Sequence, residues 1–588
     1  MTPPAPVSSD PTGFFHAATI TELKEKKMVT VAGADRPVLL CWHDGIVSAL
    51  DDRCPHMGFP LAKGSVRDGI LTCHWHHARF DLRSGCTFDL WADDTPSFEV
   101  RIEGDDVWVA RRPRQRADAA FYSARLRRGL EQGIGLVQAK GIVALLDLRE
   151  PVETIVRRVA EFGAQHHRSW RDGMTLLTIA ARLSPWLSKT TRVYVLAVAA
   201  RTVGQNCAGQ APRHSPGGFG GERFDEDRLN RWMFHWARVR HDDGAERTLL
   251  AALESGLAPG AVHRLVFGPL QERIYADTGH ALDLSNKAFE LLEVIGWEHA
   301  ARMLPLIVQN LTQSQSEEES GSWRAPTDLI ELIREAEAGL REDRYLMEAG
   351  GACRPEFYRL FLGEDPGVIL KTLLDALNDG TSPVAIARHL ALAAAWRLAC
   401  FPESNDIEDW FAPMHTFSFC HALCQVLVRS EGETAVVRGL FHAAMSIYTD
   451  RFLNLPRAPL PGEKALDPLP GTPDELRQQM LSVLDQRRGW SELPRLVTGY
   501  LRRGYPEAAL IDTLAFGTVR EDLDFHMLQV LEAGVTEAAT WPQGSTEREL
   551  LYAAVARHLA AHCPTTRSSG QPVAVALRLH RGEELHAG

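Results

Sequence analysis

At 588 residues the chain is too long for one hydrophobic core, since cores stop growing near about 250 to 300 residues, and two or more domains are expected. Its 45% hydrophobic and 24% charged residues are those of an ordinary globular protein, and a net charge of -12 argues against nucleic acid or anionic lipid as a partner. The opening MTPPAPVSSDPTGFF has no basic n-region or apolar h-region, and no apolar run stands out as long enough to span a bilayer. A cytoplasmic protein with no membrane contact is the expectation, with residues 1–12 disordered. Of the ten cysteines, Cys207, Cys353, Cys400 and Cys420 lack paired spacing and read as buried free thiols.

Residues 13–112 form short β-branched or alternating runs, MVTVAG, PVLLCWHDGIVSAL, GILTCHW and SFEVRIEGDDVWVA, punctuated by HDG, RDG and GDD turns. They predict an all-β domain. Within it, Cys54 to Cys86 packs three cysteines and four histidines into 33 residues. Cys54-x-His56 and Cys73-x-x-His76 place one Cys and one His in each of two short loops. Thiolates and imidazoles suit zinc and iron–sulfur clusters alike, but a Cys2His2 zinc site usually begins with paired Cys and ends with paired His.

The alternation of Cys and His, with CPHMGFPLAKG, LTCHWHHARFDLRSG and the strands around them, resembles the Rieske family. The resemblance implies a 2Fe-2S cluster with Cys54 and Cys73 on one iron and His56 and His76 on the other. His74 and His77 stand where the family often has Pro and Gly, and read as exposed rim residues; Cys86 has no role in this pattern. Respiratory-chain members set extra cysteines and Ser and Tyr hydroxyls near the cluster, whereas this chain has Phe59, Ala78 and Phe80 there. Fewer donors to sulfur leave the reduced cluster less stabilised, which implies a potential on the order of -150 mV.

After a linker at 113–120, the chain turns to Ala-, Leu-, Arg- and Glu-rich stretches of helical period over 121–563, with a tail at 564–588. TLLAALESGLAPGAV from Thr248 and TLLDALNDGTSPVAI from Thr372 are offset by 124, and a further step reaches LVTGYLRRGYPEAAL from Leu496. The overall fold class is therefore multidomain: an all-β Rieske fold followed by a large all-α, solenoid-like repeat domain.

Each unit carries an Arg and then a His after its turn glycine: Arg273 and His280, Arg397 and His415, Arg520 and His526. His280, Asp283, His415 and His526 are the candidate catalytic residues, since three His and a carboxylate make an iron site if the units converge. His421, the His558–His562 pair and Asp524, two residues before His526, are subsidiary candidates. The helix motif of ring-hydroxylating oxygenases is not found, and the chain departs from that family after residue 112. GHALDLSNKAF, within 240–310, resembles questin-oxidase-like proteins, a likeness that implies oxygen insertion. The expected function is an oxidoreductase: an external reductase feeds the cluster, and the helical domain, with a second iron, oxidises a small molecule. The alternative is an electron carrier whose helices form a scaffold for a partner oxygenase.

Overall fold

The computed structural model describes residues 13–583 and 585, apart from 35, 115–117, 221, 342–352, 431–432, 462–468, 470 and 523. The expected disordered start, 1–12, lies outside the described residues, as does the middle of the expected linker. Two compact units emerge, one of residues 1–151 with 571–588 and one of 152–570.

Among its described residues the first unit holds nine strands: β1 (Phe14–Thr19), β2 (Met28–Ala32), β3 (Pro37–His43), β4 (Ile46–Asp51), β5 (Ser65–Arg67), β6 (Ile70–Thr72), β7 (Arg79–Asp81), β8 (Ser97–Glu103) and β9 (Asp106–Pro113). They form an antiparallel six-stranded sheet in the order 1-9-8-4-3-2 and a three-stranded sheet 5-6-7. The turn signals act as the sequence suggests. Asp44-Gly45 joins β3 to β4 and Asp68-Gly69 joins β5 to β6, all four residues at positive φ, which is the type I′ pattern that matches strand twist. Alternate residues of β3 feed two cores: Leu39 and Cys41 pack with Leu50, Leu61, Leu71 and Phe80, while Val38 and Leu40 pack with Phe15, Val107 and Val109.

The boundaries differ from those expected. Helices Ala119–Gln132 and Gly135–Asp147 belong with the β domain, and the segment read as a tail contains helix Gln571–His580, which packs on Gly135–Asp147. Helical period marks these segments as amphipathic but does not say which domain their apolar faces cover.

In the second unit the repeat is one recurring motif. Two helices flank a turn glycine at positive φ, and a His-bearing helix follows. Asp242–Glu254 and Pro259–Leu270 flank Gly256; Pro366–Asn378 and Pro383–Ala399 flank Gly380; Glu492–Arg502 and Glu507–Val519 flank Gly504. The His-bearing helices are His280–Ile295, Phe411–Arg429 and Phe525–Ala538. Arg273, Arg397 and Arg520 all donate to backbone carbonyls, so their recurrence is structural. The units do not extend as a solenoid, in which the first and third would stay apart. The Phe411–Arg429 helix packs on both other His-bearing helices, and helix Asp172–Leu183 does the same from another side. Contrary to the sequence reading, among the described residues one segment, Ile407–Arg429, is by length and composition apolar enough to cross a membrane; it carries His415 and is mostly buried, as a core helix is.

Candidate metal centres

The two Cys/His loops of the β domain are built alike. In the first, the Cys54 N–H donates to Phe59 O (2.8 Å) and the Gly58 N–H to Cys54 O (2.7 Å); in the second, the Cys73 N–H donates to Ala78 O (2.9 Å) and the His77 N–H to Cys73 O (3.0 Å). Gly58 (φ 78°) and His77 (φ 63°) occupy the same left-handed position. Glycine meets that requirement at no steric cost, and His is among the few other residues that visit it. His77 therefore closes a turn, besides being exposed on the rim with His74.

Cys54 and Cys73 are buried and interact with each other, while the His56 and His76 ring centroids lie 4.9 Å apart. The hydrogen bond from Cys54 draws the Cys73 thiol down to about 6, helped by the N–H groups of Trp75 and His76; the same bond and burial push Cys54 up. Burial, then Lys140, lowers His56 to about 4, so its imidazole is neutral at pH 7, and its Nδ1 is buried with no hydrogen-bond partner. Soft sulfur donors on one side and bare imidazole nitrogen on the other fit a Rieske cluster. Trp91 stands edge-on to His56 (4.8 Å) and Trp75 lies against His76 (4.5 Å). Ala78 and Phe80 are fully buried beside the loop and bring no hydroxyl.

A cation reaches this site from helix Gly135–Asp147. The Lys140 ammonium donates to Pro55 O, to His56 O (3.4 Å) and to Asp93 Oδ2 (2.9 Å), and Asp93 also pairs with Arg125 (3.1 Å). A buried positive charge favours the more negative, reduced state of a nearby cluster. Lys140→Gln is expected to lower the midpoint potential and Asp93→Asn to raise it, in a spectroelectrochemical titration of the purified protein. Shifts of the same sign would show that both changes merely loosen the loop, and a wild-type midpoint well above zero would overturn the low potential expected from the sequence.

In the helical unit, His280, His415 and His526 come together. The Nε2 of His526 is 3.2 Å from that of His280 and 3.3 Å from that of His415. Nitrogens bound to one ion at about 2.0–2.1 Å lie roughly 3.0–3.4 Å apart, so the spacing fits a shared metal. The rear nitrogens face carboxylates: His280 Nδ1 is hydrogen-bonded at 3.2 Å to both oxygens of Asp283, while Asp524 Oδ1 lies 2.8 Å from His526 Nδ1 as an ion-pair contact outside hydrogen-bond geometry. A carboxylate hydrogen-bonded to Nδ1 keeps the proton there and turns the Nε2 lone pair inward. Burial and the neighbouring His280 and His526 lower His415 to about 3, so this residue presents a neutral imidazole. Burial opposes charge on His280, but Asp283 outweighs it and leaves the pKa raised.

Asp283 therefore sits behind His280 instead of beside the other imidazoles. It also accepts from Ser418 Oγ (3.0 Å) and Gln529 Nε2 (3.0 Å), one from each of the other two His-bearing helices. Ser418 and Gln529 were not singled out from sequence, although a signal was present. Asp283, Ser418 and Gln529 each follow their His by three residues, and Asn286, His421 and Glu532 by six. All six are buried. The helices thus stack polar layers one turn apart.

The deepest layer is ionic. Lys287 Nζ donates to Glu290 (2.7 Å) and Glu532 (2.6 Å), Arg182 Nε donates to Glu532 (2.7 Å), and His421 Nδ1 is 2.8 Å from Glu537 Oε1. Glu290, His421 and Glu532 have metal-like spacing, but the lysine ammonium already holds the cation position between the two carboxylates. The His558 and His562 rings lie tilted at 41° with centroids 4.2 Å apart, and the His562 Nδ1 is committed to the His558 carbonyl at 2.8 Å.

The family model for the Rieske [2Fe-2S] domain matches residues 13–101. Human apoptosis-inducing factor 3 is 35% identical over 91 residues, which is 15% of this chain and 15% of that protein, so only a small part of that relative's length is spanned. The ferredoxin component of biphenyl 2,3-dioxygenase from Rhodococcus jostii (strain RHA1) is 33% identical over 89 residues, 15% of this chain but 83% of that one. The solved ferredoxin of carbazole 1,9a-dioxygenase from Nocardioides aromaticivorans IC177 is matched over 94% of its length and 16% of this chain, with 23% identity and a TM-score of 0.16. The Rhodococcus jostii ferredoxin component is covered over 83% of its length and the family model matches residues 13–101, and through its β domain the chain belongs to the Rieske 2Fe-2S family.

Proposed function

We propose that the chain is a two-part oxidoreductase of the cytoplasm, in which the Rieske cluster takes electrons from an external reductase and the helical unit uses them, with dioxygen as the oxidant that accepts both these electrons and those of the substrate, to oxidise or oxygenate a small organic molecule. Cys54, His56, Cys73 and His76 hold the cluster, and His280, His415 and His526 hold a second metal, iron being the redox-active choice. The cluster supplies single electrons. Cys73, flanked by the N–H groups of Trp75 and His76, supplies the thiolate, and the exposed His76 and Trp75 offer the reductase a short path. Asp283 orients His280 and keeps its proton on Nδ1, and Asp524 places a negative charge beside His526 Nδ1.

The observation that supports this reading is the meeting of three imidazole Nε2 atoms from three repeat units, with spacings of 3.2 and 3.3 Å, backed by carboxylates on two of them. The carrier alternative draws support from the ferredoxin relative, which is named as a component of a dioxygenase system. Metal analysis separates them. The oxidoreductase is expected to purify with iron beyond two atoms per chain, and His280→Ala with His415→Ala should lose that excess while the cluster spectrum persists. Two irons in both preparations would favour the carrier.

A further inference from the structure

Beside the three histidines the helical unit has a cavity of about 750 Å³, and Phe525 forms part of its wall. The Phe525 ring also lies 3.9 Å from His526 and 5.9 Å from His280, centroid to centroid, so one aromatic ring separates the cavity from the convergence of imidazoles. Asp524 lines it as well while facing the His526 Nδ1. A cavity of this size suits a small-molecule ligand.

Its chemistry is mixed in a particular way. Trp170, Leu176, Val198, Leu284 and Phe525 give it flat and aliphatic walls. Two of its acids are already engaged. Glu521 pairs with Arg567 and accepts from Thr565, and Asp524 serves His526. Asp172 lies in the first turn of helix Asp172–Leu183, where the helix dipole favours a negative charge. The cations are Arg171 and Arg201, and the Arg201 Nη1 is buried with no hydrogen-bond partner. A buried guanidinium donor left unmade is costly; turning the Arg201 side chain toward a ligand in the cavity would give this Nη1 the acceptor it lacks, and a carboxylate or phenolate oxygen is the natural one.

We infer that this cavity is the substrate pocket of the histidine centre and that it takes a small anion with a flat apolar body, its anionic group on Arg201 and its body against Trp170 and Phe525. The inference rests on the oxidoreductase reading, and it names the substrate class for that site. Arg201 is a binding residue on helix Lys189–Cys207, and the apolar wall at Phe525 turns the body of the ligand toward the centre.

The test is calorimetric titration of the full-length protein with 1-naphthoate and with the neutral 1-naphthamide, together with metal analysis of the same samples. Naphthoate is expected to bind at least tenfold more tightly than naphthamide. Arg201→Gln should erase that preference, and Arg201→Lys should restore part of it, with unchanged circular dichroism in both variants. Equal binding of the two probes, no binding of either, or a preference that survives Arg201→Gln would overturn the inference. Since neither probe needs the metal, a bound second metal without naphthoate selectivity sinks only the pocket. Selective binding with two irons per chain sinks only the metal reading.

Discussion

Cys73→Ser is expected to empty the Rieske site: iron should fall by two atoms per chain and the cluster absorbance and EPR signal should vanish. The hydroxyl is a hard, weakly acidic donor in place of a soft thiolate, and the N–H groups of Trp75 and His76 that stabilise sulfur would face an oxygen that stays protonated. The fold itself should survive. Backbone hydrogen bonds from Cys73 to Ala78 and from His77 to Cys73 close the second loop without its side chain. What is lost is the link that the cluster makes between the loops, so the β domain should melt earlier than in the wild type. The helical unit should keep its far-ultraviolet circular dichroism and any metal bound to His280, His415 and His526. Loss of both metals together would argue that the second iron is miscounted cluster iron. Retention of the EPR signal would refute the ligand assignment.

Lys287→Met is expected to be the most destabilising single change in the helical unit, at roughly 3 to 5 kcal/mol, because it leaves buried carboxylates without their cation. Lys287 is about 1% exposed, and Glu290 and Glu532 are equally buried. Arg182 stays 2.7 Å from Glu532 but reaches Glu290 only at 3.6 Å, so Glu290 bears most of the loss. The double variant Lys287→Met/Glu290→Gln should therefore recover a large share of it. Denaturant titration followed by helical circular dichroism measures both. An effect below about 1 kcal/mol would place the trio in the class of exposed ion pairs, contrary to its burial.

The β domain was readable at close range because its signals are local. Asp-Gly pairs fix the hairpins, and the Cys-x-His and Cys-x-x-His spacings mark the loops. The three histidines were readable for another reason: repetition tags equivalent positions without saying where they lie. Amphipathic period shows which face of a helix is buried but not what meets it. For that reason the sequence places 121–563 and 564–588 away from the β domain, although helices Ala119–Gln132, Gly135–Asp147 and Gln571–His580 belong with it, and it groups Asp283 with the reacting residues although that carboxylate stands behind His280. Counting three and six residues on from each His finds Asp283, Ser418, Gln529, Asn286, His421 and Glu532, so the stacking was in the sequence as a pattern. Its ionic partner Arg182 was not, because it comes from a helix outside the repeat and 350 residues from Glu532.

The junction of His280 with His526 ties together positions 246 residues apart. During synthesis at the ribosome, the centre cannot exist until the third unit has emerged and closed onto the first. Capture of an ion there would thereby be a late event that certifies a finished helical unit. A chain cut before residue 525 would keep the helix pair around Gly504 but lose the third His-bearing helix, and with it His526 and the closure. Binding energy from an ion placed there would be shared by all three units at once, so a local lesion in any one of them should be felt as a weaker hold on the metal.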